Sequence, residues 1–129
     1  MASTPRTQDP LGFGVLCPLR LTSTQDFATA SGADLVKSDV MQLLGTVQGE
    51  LPWRPDFGTR LTRLRHRQNT GALADLARID VARALAKYEP RVRLRSVVSP
   101  APSGPTANRR ELHVHYEVTG KVDTAKTSF

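Results

Sequence analysis

The sequence predicts an α+β domain, a small antiparallel or mixed sheet with two principal helices, and three observations carry that prediction. Leu35 to Val47 and Leu73 to Tyr88 repeat apolar residues at steps of three and four, the pattern of a helix that buries one face. Arg91 to Arg95 and Leu112 to Val118 alternate apolar and polar residues, as a half-buried strand does. Between the two kinds of pattern stands Glu89-Pro90-Arg91. Proline lacks an N–H and its ring clashes with the preceding turn, so the helix ends at about Glu89 and the period changes there.

Read in order, residues 1–11 form a flexible arm with two prolines and no periodicity. Gly14 to Leu21 reads as a first strand, with Pro18 implying an edge or a bulge. Thr22 to Ala30 is polar and turn-like, and Ser31 is placed to cap the first helix, whose stripe is Leu35, Val36, Val40, Leu43, Leu44 and Val47. Glu50 to Gly58 packs Pro52, Pro55 and Gly58 around Trp53 and Phe57. The prolines stiffen this loop, and two large aromatics are costly to leave in water, so it is expected to be ordered and to bury both rings. Leu61 and Leu64 anchor a short helical turn, Asn69-Thr70-Gly71 supplies a cap, and Leu73, Ala77, Val81, Ala84, Leu85 and Tyr88 form the second stripe, widened by Leu76. After Pro90, Val92 and Leu94 face the core while Arg91, Arg93 and Arg95 share the other face. Ser99 to Asn108 is a proline-rich loop, Leu112 to Val118 is the partner strand of an antiparallel hairpin, and residues 120–129 form a polar tail. The domain proper is thus 12–119.

Composition excludes several classes. The 129 residues fit one modest core. No apolar run approaches the roughly 20 residues of a membrane span, and the first ten residues lack a secretory signal's apolar core, so synthesis in the cytoplasm is expected. The single cysteine, Cys17, sits among Val15, Leu16 and Leu19. It excludes an internal disulfide or a thiolate cluster for zinc and reads as a small buried hydrophobe. The net charge of +6 is concentrated in Arg54, Arg60, Arg63, Arg65 and Arg67, with Asp56 alone opposing. Such a segment could hold phosphates or an acidic protein surface, but aromatics at 5% do not supply the stacking platform of a single-strand nucleic-acid binder.

Candidate chemistry is thin. A glycosidase needs two carboxylates roughly 5 to 9 Å apart, and nothing pairs any two of Glu50, Asp56 and Glu89, the acids in constrained settings. His113 and His115 share a strand face but lack an evident third ligand, so they read as solvent-facing side chains and no metal or cofactor is implied. What remains are rigid polar corners. Arg54 and Asp56 lie in the loop stiffened by Trp53, Pro55, Phe57 and Gly58, and Glu89, Pro90 and Arg91 form a bend. Glu89 lies at the negative end of a helix macrodipole, where an acid calls for a compensating cation. That cation is either Arg91 or Arg54 of this chain, or belongs to another chain across an interface.

Several segments together carry a resemblance. Gly12-Phe13-Gly14 is followed by Pro18-Leu19, a helix, Gly49-Glu50-Leu51-Pro52-Trp53-Arg54-Pro55-Asp56-Phe57-Gly58, and a helix closing in Tyr88-Glu89-Pro90-Arg91. This arrangement, over roughly Gly12 to Val118, resembles the small baseplate-wedge family of contractile phage tails, found also in type VI secretion baseplates and extracellular contractile injection systems, some of whose members were once labelled lysozyme-like. The resemblance implies a structural protein, not an enzyme, with a fold related to the core of the sheath subunit. It implies a sheath initiator that joins the baseplate wedge to the first sheath ring, in several copies around the inner tube or hub. The family's Glu-Pro-Arg motif, which docks onto the helical bundle of the other wedge proteins, maps onto Glu89, Pro90 and Arg91, and the sheet edges would pair with arms of sheath subunits. Relatives often finish with a further apolar, aromatic strand, from which the polar Lys121 to Phe129 departs. No small-molecule substrate, membrane or nucleic acid is implied. The alternative that the charge allows is a small basic nucleic-acid-binding module on Arg60 to Arg67, and behind it a muramidase.

Overall fold

The computed structural model describes residues 10–67, 70–101, 105, 109–118 and 121–129. Its elements run β1 (Phe13–Val15), β2 (Thr29–Ser31), α1 (Gly32–Gly45), a 3-10 turn (Leu61–Leu64), α2 (Gly71–Tyr88), β3 (Arg93–Val98), β4 (Glu111–Val118) and β5 (Lys121–Ser128). The strands β1 and β2 make one antiparallel pair, and the others make an antiparallel sheet in the order β3-β4-β5. Two helices with two antiparallel sheets give the α+β class that the two periodicities predict.

The helices form where local rules place them. Thr70 caps α2, its hydroxyl accepting from the Leu73 N–H at 3.4 Å; its neighbour Asn69 lies outside the described residues. Ser31 holds the extended N-cap conformation before α1 without a side-chain cap, and Asp34 in the first turn suits the helix dipole. One core joins Val36, Val40 and Leu43 of α1 to Leu73, Ala77, Val81 and Leu85 of α2, and both to Leu112, Val114, Tyr116 and Val118, the inward face of β4. A fully buried side chain of this kind contributes about 1.5–3 kcal/mol. Tyr116 is the largest side chain wholly inside, and burial, aided by the nearby charge of Asp123, pushes its phenol up to about 12.

Five elements of the fold depart from the sequence reading. First, β1 stops at Val15, and its partner β2 comes from the stretch expected as a turn; Leu19 and Leu21 lie exposed beyond the strand. Second, α1 ends at Gly45, and Val47 instead makes a parallel bridge to Thr59. Third, Leu76 lies 45% exposed on α2 rather than widening the buried stripe. Fourth, β3 starts at Arg93 with its register shifted between Leu94 and Ser96, so Arg91 precedes the strand and does not share a face with Arg93 and Arg95. Fifth, residues 121–128 are a full strand rather than a tail. Each pairs with β4 from Glu111↔Ser128 to Val118↔Lys121, Phe129 continues the ladder through two bonds with Arg110, and its ring is in the core. Eight paired residues hold β5 by backbone hydrogen bonds, which composition does not reveal. Most of the expected arm and much of the proline-rich loop lie outside the described residues.

Candidate functional site

At the end of α2 the Glu89 N–H donates to the Leu85 carbonyl at 2.9 Å, and the Glu89 carbonyl accepts from the Val92 N–H at 3.1 Å. The chain therefore turns tightly across Pro90. This turn folds Arg91 back onto the residue two before it: Nε donates to Glu89 Oε1 at 2.6 Å and Nη2 to Oε2 at 2.8 Å, the bidentate fork that suits guanidinium and carboxylate. Nη2 also donates to Asp39 Oδ2 of α1 at 2.6 Å, and Nη1 to the Leu11 carbonyl at 2.7 Å. Arg91 thus ties together the end of α2, the middle of α1 and the segment entering β1. The Glu89 carboxylate, then burial acting the other way, then Asp39 set its proton affinity, and the balance raises the guanidinium above its ordinary value.

Glu89 is itself buried, at 5% exposure. In this structure the acid at the negative end of the helix is compensated within the chain, by Arg91.

The loop from Leu51 to Gly58 is built from interlocked turns, with the Arg54 N–H on the Leu51 carbonyl at 3.1 Å and the Phe57 N–H on the Arg54 carbonyl at 3.1 Å. Its base is fixed at Gly58, where φ is +104° and a Cβ would stand 2.4 Å from the Thr46 carbonyl oxygen, so only glycine fits. The loop is ordered as its sequence predicts, but Trp53 is not buried. It stands 75% exposed, while Phe57 turns inward against Tyr88 with ring centroids 5.1 Å apart. The inward place against Tyr88 is taken by Phe57.

Among the described residues Arg54 pairs with no acid. Its guanidinium lies 5.3 Å from the Phe57 centroid and 5.8 Å from that of Tyr88, a cation–π arrangement. Asp56 is exposed and lies 3.9 Å from Lys87 Nζ, while Pro55 holds the step between the two.

These contacts bring loop and bend together. Trp53, Arg54 and Phe57 from the loop and Tyr88, Glu89 and Arg91 from the bend line one open hollow of about 460 Å³, floored by Leu43 and closed on the α1 side by Asp39 and Gln42. Pro90 is exposed at the corner and Asp56 lies outside the lining. Asp39, which sequence reasoning did not single out, carries no local signal: it is one polar residue among several on α1.

Other expected residues lie elsewhere. His115 Nδ1 shares a 2.8 Å hydrogen bond with Thr124 Oγ1, and His113 faces Glu111 at 3.5 Å; both are half-buried on the sheet face opposite the core. Cys17 is half-buried, its N–H donating to Ser38 Oγ at 2.7 Å. Glu50 accepts from the Val47 N–H at 3.0 Å. Among the described residues no helix is long and apolar enough to cross a membrane.

The family model of the baseplate wedge protein gp25 matches residues 30–126, which takes in α1, the loop, α2, the bend and the three-stranded sheet up to Lys126 of β5. The chain belongs to that family. It is a baseplate wedge protein, a structural component of contractile, phage-tail-like machines. Solved structures share the fold. A candidate tail lysozyme from Geobacter sulfurreducens is 27% identical, with a TM-score of 0.67 over 78% of this chain and 91% of that one. A chain of the anti-feeding prophage baseplate is 18% identical, with a TM-score of 0.69 over 93% and 86%. One of the postcontracted pyocin R2 baseplate is 23% identical, with a TM-score of 0.56 over 86% and 96%. A comparison with curated proteins finds no match. In this wedge protein β5 is followed by the buried Phe129, an apolar residue that closes an otherwise polar segment.

Proposed function

We propose that this wedge protein joins the baseplate wedge to the first sheath ring and initiates sheath assembly, in several copies around the inner tube. In this reading the hollow between loop and bend receives the helical bundle of the other wedge proteins. Glu89, Pro90 and Arg91 form its stiff wall, and Trp53 and Arg54 are its anchors, with Asp56 at the margin. The observation that carries the reading is Trp53, a tryptophan left 75% exposed at the rim of a hollow on a loop too constrained to withdraw it. Tryptophan and arginine beside a desolvated pocket are the residues that dominate association energies.

The upper contact would be strand addition. In the order β3-β4-β5 the outer strands are β3 and β5. Arg78 of α2 donates to the Val97 carbonyl of β3 at 3.0 Å, which leaves the eight-residue β5 as the longer strand for an arm of a sheath subunit to extend. A change in the baseplate below would then pass to the sheath through paired backbone.

The test is the full chain carrying Trp53→Ala and Arg54→Ala, reconstituted with its wedge partners. Both side chains are exposed, so unfolding should shift by no more than about 0.5 kcal/mol for Trp53→Ala, while incorporation into wedges and the yield of sheathed particles collapse. Normal particles from the folded double variant would overturn the docking role.

A further inference from the structure

A second surface lies away from the hollow, between the 3-10 turn and the solvent side of α2. Arg60, Arg63, Arg67 and Arg83 surround Leu76 and Ile79, with Leu64 and Asp80 completing an open groove of about 460 Å³. Its apolar centre is exposed, Leu76 by 45% and Ile79 by 65%. The one carboxylate is already engaged: Asp80 Oδ1 accepts from Arg83 at 2.8 Å, and Oδ2 from the Arg60 N–H at 2.6 Å. Arg60 also donates through Nε to Gln48. Arg63 and Arg67 are exposed, and their guanidiniums have no hydrogen-bond or ion-pair partner among the described residues.

We infer that this groove is a docking site for an acidic amphipathic helix of another protein in the assembly. Charge complementarity fixes the sign of the occupant: four guanidiniums stand against one carboxylate, already engaged by the Arg83 guanidinium and the Arg60 backbone N–H. Its shape follows from the elements that line the groove. No strand borders it, so a partner gains nothing from an extended backbone, and the backbone groups of α2 are engaged within the helix. Leu76, Ile79 and Arg83 recur at steps of three and four on α2, which presents a ridge that a second helix covers with apolar residues one turn apart. Nucleic acid fits less well, because the groove's centre is aliphatic and contains no aromatic ring on which a base could stack. This surface shares no residue with the loop and bend, so its test stands apart from theirs.

The probe is a synthetic helix-forming peptide of roughly fourteen residues with two leucines four apart, flanked by glutamates, and a scrambled peptide of the same composition is the control. The isotope-labelled full chain should bind the ordered peptide at least about tenfold more tightly than the scrambled one, with methyl signals of Leu76 and Ile79 shifting on titration. Arg63→Glu with Arg67→Glu, and separately Ile79→Glu, should each weaken binding about tenfold while the circular dichroism spectrum is unchanged. Equal affinity for the two peptides, no saturable binding, or displacement of the peptide by a short DNA duplex at equal concentration would each overturn the proposal, the last in favour of nucleic acid.

Discussion

The Arg91 guanidinium makes four hydrogen bonds to acceptors within the chain, whereas those of Arg63 and Arg67 have no partner among the described residues. The corner at the end of α2 and the groove beside the 3-10 turn are built from the same residue type, yet the first uses its charge to hold the fold together and the second keeps its charge for something outside. The difference comes from what surrounds each guanidinium. At the corner, three chain segments converge on one guanidinium, and that arginine is needed so that the buried Glu89 is not left unpaired. On the groove, exposed side chains from one helix and one short turn meet solvent, so ion pairs there would contribute little to folding. A charged residue in a recognition motif can therefore be a structural member first, with binding dependent on the stiffness it gives its neighbours.

Arg91→Ala should have the largest effect on that contrast. It strands Glu89 without its counterion and removes the bonds to Asp39 and the Leu11 carbonyl, so stability should fall by about 3 kcal/mol, read from the urea midpoint of the full chain. A loss below about 1 kcal/mol would mean that the corner's charges are as dispensable as surface pairs. A smaller effect, confined to alkali, belongs to the core between the two regions. The phenol of Tyr116 ordinarily ionises at 10.0 and is pushed up to about 12 here. Below the ordinary value both folded and unfolded chains keep the proton and stability is at its full value; between the two values only the unfolded chain loses it, so stability falls with rising pH. Tyr116→Phe should remove that part of the slope, and an unchanged slope would place the titration elsewhere. The smallest effect is expected from Arg63→Glu with Arg67→Glu, within about 0.5 kcal/mol by the same urea measurement. A larger loss would show that these arginines are already engaged in the fold.

Much of the fold was legible because its signals are local. The stripe of α2, its Thr70 cap, the stop at Pro90 and the alternation of Leu112 to Val118 all follow from residues within a turn or two of one another. The pairing of Glu89 with Arg91 stood among the readable alternatives for the same reason, since the two flank a proline. Asp39 and Leu11 were not readable, because they reach Arg91 across 52 and 80 residues. Trp53 was misjudged by a sound rule: large aromatics are usually buried, but whether one is depends on the space its loop finds, and Phe57 took the place against Tyr88.

By itself the sequence determined two helices, a change of period at Pro90, a stiff aromatic loop, a lone basic segment and a membership that its motifs already suggested, since each rests on short-range sterics and spacing. The tertiary structure alone decided that β5 is a strand, that loop and bend share one hollow, that Arg91 is spent inside the fold, and that Leu76 and Ile79 remain outside it. These depend on backbone pairing and on which distant surfaces meet. Neither is encoded in the hydropathy of any single segment.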